Sequence, residues 1–372
     1  MPVVAQAAPC LLLGEGPTKK DIGSKLIELE VEEDHDLAGV FRIKLAIVRD
    51  EGGLWTLLDR DPAKPWQKLE ITMNVGGREE SVMKGYVTQL RVHIGVIEGN
   101  SYLEIAGMDS SCLMSLEEVI KDWPGVSDSQ IAEKIFGKYG LSSDVDATDV
   151  VHDPAVSTVI QRESDIQFLK RLARRNGYEC LVAGGMGYFK KVDAVVARLP
   201  ELAAHFGGAT NLTSFDANWN GLRPTAVEVH QVDAVTKQVQ SVVVAKSALA
   251  PLGKDGPPAP PLPVGGKPRT VLRHSVATGQ PEMTALANGL ADEASWFVEG
   301  RGEVDGTVYG AMLHVRKLVP IKGVGELFSG LYYLTSVKHV YQNDRYTQHF
   351  TARRNATKTK PADFPASKPS PF

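Results

Sequence analysis

Gly323-Val324-Gly325 is the segment that comes nearest to a dinucleotide-binding loop. That loop needs a third glycine three residues on, where a helix starts against the pyrophosphate. Phe328 stands there and no helix start follows, so the segment reads as a β-turn. Gly184-Gly185-Met186-Gly187 lacks the Lys-Ser or Lys-Thr ending of a phosphate cradle. Asp144, Asp146, Thr148 and Asp149 imitate the opening of a calcium loop. However, Asp149 sits where glycine is required and Ala155 where a bidentate glutamate is required. The nine histidines are scattered, with no His-x-x-x-His pair and no cysteine partner, which argues against zinc. Cys10, Cys112 and Cys180 are odd in number, far apart and in no nucleophile signature, and so read as reduced thiols of a protein assembled in cytosol. There is no Gly-x-Ser-x-Gly elbow. Distant paired carboxylates for glycoside cleavage are the one chemistry that spacing leaves open. The basic cluster Lys170 to Arg175 reads as the solvated face of a helix. No catalytic, cofactor-binding or metal residue is assigned, no cofactor is expected, and the chain is read as a non-enzyme.

The remaining question is what frame these residues sit on. A chain of 372 residues exceeds one ordinary core and has room for two to four modules. With 43% apolar and 23% charged residues it is expected to be folded and soluble. The formal net charge of -4 gives no global basic field, so nucleic-acid binding is not expected. Ala8 to Leu13 is apolar but lacks a basic segment ahead of it and is too short for a signal or a span. Neither membrane insertion nor an export signal is expected.

The first hundred residues alternate with period two. Ile27, Leu29 and Val31 alternate with Glu28, Glu30 and Glu32; Phe41, Ile43, Leu45 and Ile47 with Arg42 and Lys44; Leu69, Ile71, Met73 and Val75 with Glu70, Thr72 and Asn74. Half-buried strands have this pattern, and Glu51-Gly52-Gly53, Gly76-Gly77 and Glu98-Gly99-Asn100 are the turns between them. Ser127 to Gln130 and Ser164 to Gln167 are both predicted capping boxes. The first opens a short helix with Ile131 and Ile135, stopping near Gly137 or Gly140. The second opens a helix with an apolar face of Ile166, Phe168, Leu169, Leu172 and Ala173, stopped at Gly177. Tyr178 to Val182 and Tyr188 to Val192 form a hairpin around the glycines at 184–187. The β pattern returns from Asn211, with Val227 and Val229 and then Val239 and Val242 to Val244. It is broken by the Pro/Gly-rich 250–268 and by a helix from Pro281 with Leu286, Leu290 and Phe297 on one stripe. Thr88 to Val92, followed by Tyr102-Leu103-Glu104, is echoed by Thr335 to His339, followed by Tyr346-Thr347-Gln348. Both read as the closing hairpin of a β-module.

Four segments together resemble the phage late-control protein D family, which includes contractile-tail hubs and the N-terminal part of VgrG spikes. They are Tyr102 to Ser110 with its Gly107-x-Asp109; Ser127 to Ala132 with Tyr139-Gly140-Leu141; Gln161 to Ala173 with Asn176-Gly177-Tyr178; and Gly323 to Gly325 running through Phe328-Ser329-Gly330, Thr335 to Val337, His339 and Tyr346-Thr347 to Arg353-Arg354-Asn355. Their order matches over about residues 20–355.

The resemblance implies a mainly β fold with an α/β insert: two tube-like antiparallel β-barrel domains plus a small helix-hairpin domain. The divisions expected are 1–109 as the first tube-like domain, 110–205 as the insert, and 206–248 with 301–355 as the second tube-like domain. Residues 249–300 are then a loop and helix inserted in that second domain, and 356–372 a flexible Pro/Lys tail. It further implies a homotrimer whose six similar domains adapt a sixfold tail tube to a threefold spike. The partners would be a tail tube or tube-initiator protein, the central spike protein and other baseplate components, in a particle assembled in the bacterial cytoplasm. The chain shows none of the extra segments of VgrG, so a spike tip and any cell-wall hydrolysis are expected from another polypeptide. The alternatives are a secretion-system component carrying cargo, a hub with peptidoglycan-hydrolase activity, and a monomeric carbohydrate-binding β-protein.

Overall fold

The computed structural model describes residues 7–60, 62–97, 99–152, 154, 158–193, 195–223, 226–233, 236–256, 269–272, 277, 279–360 and 363–364. The predicted alternation becomes strands where it is strict. β1 (Ala8–Leu13), β2 (Lys20–Asp21), β3 (Leu26–Asp34), β4 (Val40–Ala46), β5 (Lys68–Val75), β6 (Arg78–His93) and β7 (Tyr102–Asp109) make the first half of the molecule. Leu29, Val31, Phe41, Ile43, Leu45, Leu69, Ile71 and Met73 pack into one core beneath it.

An α/β insert follows: β8 (Glu118–Trp123), α1 (Asp128–Lys138), β9 (Ser142–Val145), β10 (Val159–Ser164), α2 (Asp165–Asn176), β11 (Tyr178–Ala183) and β12 (Met186–Lys191). The capping box at Ser127 forms, with Gln130 N–H donating to the serine hydroxyl and the Gln130 side chain accepting from Ser127 N–H. Ser127→Ala should therefore cost about 1 kcal/mol, read as a lower urea midpoint with an unchanged slope. The second box does not form. Ser164 precedes α2, but its hydroxyl has no partner and Gln167 is exposed. Gln161, fully buried, takes over the positioning: it accepts from the Trp123 indole at 3.2 Å and donates to Asp165 at 2.7 Å. Gly177 ends α2 in the left-handed conformation, as predicted. The hairpin turns on Gly184 and Gly185, both with positive φ.

The rest of the chain comprises β13 (Leu202–Ala203), β14 (Leu212–Trp219), β15 (Ala226–Val232), β16 (Val239–Val244), β17 (Arg269–Leu272), α3 (Gln280–Ala294), β18 (Val298–Asp305), α4 (Gly306–Tyr309), β19 (Leu318–Lys322), β20 (Gly330–Gln342) and β21 (Arg345–Arg354). Three expectations change here. The valines of β15 and β16 do not join the second β-half; with β17 they form a separate three-stranded sheet covered by α3. The buried stripe of α3 is Met283, Ala287 and Ala291, while Leu286 and Leu290 are only half-buried and Phe297 lies beyond the helix. Met283, Ala287 and Ala291 pack on Val227 and Val229 of that sheet, while the opposite side of α3 meets the end of α2 backbone to backbone, at Gly289 against Gly177. The tail beginning at 356 is also not free over 356–360. Thr357 exchanges backbone hydrogen bonds with Asp255, and Lys358 carbonyl accepts from Lys254 N–H and from the buried Arg354. Residues 365–372 and most of the Pro/Gly-rich stretch, 257–268, lie outside the described residues.

The two β-halves repeat one topology. In the first, the order is β3-β4-β7-β6-β5; in the second, β14-β18-β21-β20-β19, antiparallel throughout. Their irregularities coincide as well. Thr88 is bulged out of the β6–β7 ladder and Thr335 out of the β20–β21 ladder. Each hydroxyl points to the carbonyl of the residue facing its successor: Thr88 to Ala106 at 3.5 Å and Thr335 to Thr351 at 3.1 Å. A second bulge falls between Leu26 and Glu28 in β3 and between Leu212 and Ser214 in β14. Bulges re-aim a strand at a set point, so two shared bulges in a shared strand order mark a structural repeat. The echo of Thr88 to Val92 in Thr335 to His339 is this repeat seen in sequence.

The halves are joined by one strand. β20 pairs with β19 over Gly330–Tyr333, and farther along it pairs with β3, Ser336 facing Asp34 and Gln342 facing Glu28. A single 13-stranded sheet therefore runs through both.

Candidate functional site

Glu33 follows Leu29 and Val31 in the inward phase of β3, and His339 follows Val337 in the inward phase of β20. The β3–β20 pairing puts both on the inner side of the joint, Glu33 opposite Val337 and His339 opposite Val31. The segment after α4 adds His314. Gln348, fully buried opposite His339 in β21, clamps that segment: its side-chain oxygen accepts from Leu313 N–H at 2.7 Å, and its amide donates to Ala311 carbonyl at 2.9 Å. Met312 then enters the core of the first half and Leu313 that of the second. The β5–β6 hairpin brings Glu80; its Gly76, at positive φ, lies so close to Gly310 carbonyl that a side chain there would collide.

His314 Nδ1 lies 3.0 Å from Glu33 Oε1, and its Nε2 lies 3.3 Å from Glu80 Oε2. Val315 N–H donates to Glu33 at 3.3 Å. His339, 1% exposed, has Nδ1 2.7 Å from the Tyr346 hydroxyl, while its Nε2 has no hydrogen-bond partner and lies 3.9 Å from Glu33. Burial opposes charge on His314, but Glu33 and Glu80 outweigh it and push its pKa up to about 10. Burial, with the neighbouring His314 charge, brings His339 down to about 4 against the pull of Glu33. Burial would also raise Glu33, but the charge and hydrogen bond of His314 hold it below the usual carboxylate range. The two imidazoles therefore differ in kind: one is a cation bridging two carboxylates, the other a neutral ring with a free nitrogen.

The sequence pattern did not bring these residues together. His314, His339 and Glu33 come from separate segments, and the test for a close His pair overlooks them. The available signal was a polar residue in an apolar phase, at Glu33 and again at His339. The motifs weighed for chemistry take structural places. Gly323 and Gly325 shape the turn between β19 and β20, with positive φ at both. Asp144 and Asp146 pair with Lys190. Arg171 and Arg174 are exposed, but Arg175 is not a solvated residue, since it bridges Asp128 and Glu282. Burial pushes the Cys112 thiol up to about 11 and Cys180 up to about 12, so both stay protonated. No helix among the described residues is long and apolar enough to cross a membrane.

A second feature lies on the sheet edges. β6 pairs with β5 only over Arg78–Tyr86, so on that side Gln89–His93 has no strand partner among the described residues. Neither has the outer edge of β14. Val92 and Ile94 are each half exposed. Unpaired edges of this kind are ready templates for another strand.

Solved structures share this architecture. The 43 kDa tail protein of prophage MuSo2 from Shewanella oneidensis is 14% identical, with a TM-score of 0.65 over 94% of this chain and 100% of that one. The tail protein from Neisseria meningitidis MC58 is 14% identical, with a TM-score of 0.64 over 96% of this chain and 100% of that one. The c3393 protein of E. coli, a component of the type VI secretion system, is 12% identical, with a TM-score of 0.55 over 92% of this chain and 77% of that one. At such identities the likeness shows the fold. No curated protein matches the sequence. The family described as the Alg8 N-terminal domain matches residues 24–343, most of the chain, and the protein belongs to that family.

Proposed function

We propose that this chain is a structural, non-enzymatic subunit of a phage tail or related injection machine. In that role it is the baseplate hub, three copies of which form a ring. The reading keeps the late-control protein D and VgrG-like relationship and the partners that go with it: tube or tube initiator, central spike and other baseplate components. The fold shared with tail proteins and with a type VI secretion component supports it.

The observation that carries it is the repeated half with its internal joint. The bulged threonines and shared ladders make Gln89–His93 the counterpart of Ser336–Val340, and Ser214–Trp219 the counterpart of Glu28–Glu33. Inside the chain the second member of the repeat pairs with the first. Laying β14 of one chain on β6 of the next would repeat that joint, with Val92 facing Ala217 as His339 faces Val31. Three chains then supply six similar repeats, and the ring closes if each turns by about one sixth of a circle. Its faces would meet a sixfold tube and a threefold spike. The domain division that goes with this is the one set out from the sequence, with β15 and β16 moved from the second tube-like domain into its insertion, beside β17 and α3.

The test is a disulfide between the facing positions. Val92→Cys combined with Ala217→Cys should give a covalent trimer under oxidation, and neither single variant should. Light scattering of the wild-type chain should give three times the chain mass. A monomer that forms no covalent trimer sinks the hub reading.

A further inference from the structure

We propose that Glu33, His314 and His339 form a binding site for one divalent transition-metal ion of the zinc type, with Glu80 holding the other ring nitrogen of His314. One donor atom from each of the first three lies within 4.8 Å of the others. Two imidazoles with a carboxylate oxygen are a donor set that suits zinc and its neighbours in the first transition row, and on binding the ion replaces the proton between His314 and Glu33, which leaves to solvent. A tetrahedral ion with bonds of about 2.0–2.1 Å holds its donors about 3.4 Å apart. Side-chain rotation over roughly one ångström therefore closes the cluster, and His314 sits on a connecting segment rather than on a strand.

The independent observation is His339. It is 1% exposed, yet its Nε2 is without a partner and aimed into the cluster, 3.9 Å from Glu33. Buried polar atoms are almost always satisfied, so such an orphan needs a reason. When Nδ1–H donates to the Tyr346 hydroxyl at 2.7 Å, Nε2 presents its lone pair to the site. Ligating histidines are held in just this way, the second nitrogen tied to an oxygen that fixes tautomer and ring direction. Entry is available, because Glu33 and His314 line a cleft of ≈ 790 Å³. The donors come from both β-halves: Glu33 on β3 from the first, His339 on β20 and His314 from the second. A bound ion would therefore fasten the two halves at their joint. The inference concerns the single chain and does not depend on assembly into a ring.

The experiment is titration of the chelator-treated full chain with Zn²⁺ by calorimetry and with Co²⁺ by visible absorption. One ion per chain is expected, with Co²⁺ showing the intense bands of a tetrahedral site. His339→Gln should weaken binding by at least about a hundredfold, and Tyr346→Phe by about 10–100-fold. Zn²⁺ should raise the melting temperature of wild type but not of His339→Gln. Should that variant fail to fold, as judged by circular dichroism, Tyr346→Phe and the more exposed Glu80→Gln give the same reading with the buried ligands kept. Absence of a one-to-one ion, or equal affinity in the wild type and these variants, overturns the site and leaves the cluster a plain ion-pair joint.

Discussion

Asp128→Ala should destabilise the insert by about 3–5 kcal/mol, the range for removing one partner from a buried charged network. Asp128, 3% exposed at the start of α1, accepts from His152 at 2.9 Å, from the Arg175 guanidinium by both of its oxygens, and from the Asn176 amide at 2.6 Å. Arg175 in turn reaches Glu282 on α3 at 2.8 Å. Three helices from two inserted units thus meet at the Arg175 guanidinium, between Asp128 of α1 and Glu282 of α3. Removal of the Asp128 carboxylate leaves a guanidinium and an amide facing a cavity. Hydrogen exchange of α1 and α2 amides measures the loss locally, without requiring the whole chain to unfold in one step.

The same residue sets a pH dependence. Burial raises the Asp128 pKa, but the hydrogen bond to His152 and the charge of Arg175 outweigh it and hold the carboxyl below its usual value. A depressed folded pKa stabilises the folded state above the unfolded value of about 3.9, and that stability is lost as pH falls through the folded value. Protection of α1 should therefore fall on acidification below about pH 4 in wild type, and Asp128→Ala should lack that step. An identical acid limb in both proteins, or a loss under about 1 kcal/mol at neutral pH, would show that the network is not the cause.

Gly107→Val should be at least as severe, costing about 3 kcal/mol or more and reducing soluble yield. Gly107 lies within β7, where a Cβ would overlap the Tyr86 carbonyl oxygen and the Phe41 ring. A backbone oxygen in a ladder cannot step aside, and Phe41 is buried in the core of the first half. Two residues on, the Asp109 carboxylate accepts from Gly39 N–H and from Ser111 N–H at 2.7 Å, closing the strand and starting the next turn. The Gly-x-Asp of the sequence is thus a packing gap followed by a cap. Gly208→Ala is the control, since nothing lies within 4 Å of its Cβ position and its φ is not in the left-handed region; it should stay within about 0.5 kcal/mol of wild type. Equal urea midpoints for Gly107→Val and Gly208→Ala would refute the packing argument.

Motif residues of α2 were legible because their work is local. Gln161, Asp165, Phe168, Leu169, Asn176 and Gly177 are close in sequence, and all of them serve one helix and its two ends. The second capping box was misread because Ser and Gln at the right spacing satisfy a rule that tertiary contact overrides. Buried Gln161 holds Asp165 at the first turn of α2, leaving Ser164 without a side-chain bond. The stripe of α3 differs from the expected one because the helix has two neighbours: Met283, Ala287 and Ala291 face Val227 and Val229 of the separate sheet, and Gly289, on the opposite side, meets Gly177.

By itself the sequence determined the mainly β character, the strands β3, β4 and β5 of the first half, the two insert helices with their stops, and the echo of one closing hairpin in another. Each of these follows from neighbours within a few residues, through side-chain period, cap or turn. Only the tertiary structure decided that the echo is a repeat with matching strand order and bulges, that β15–β17 leave the main sheet, and that Glu33, His314 and His339 converge. Pairing of β3 with β20 joins residues some three hundred positions apart. Such a contact forms only when the whole sheet closes, and no local preference of the chain encodes it.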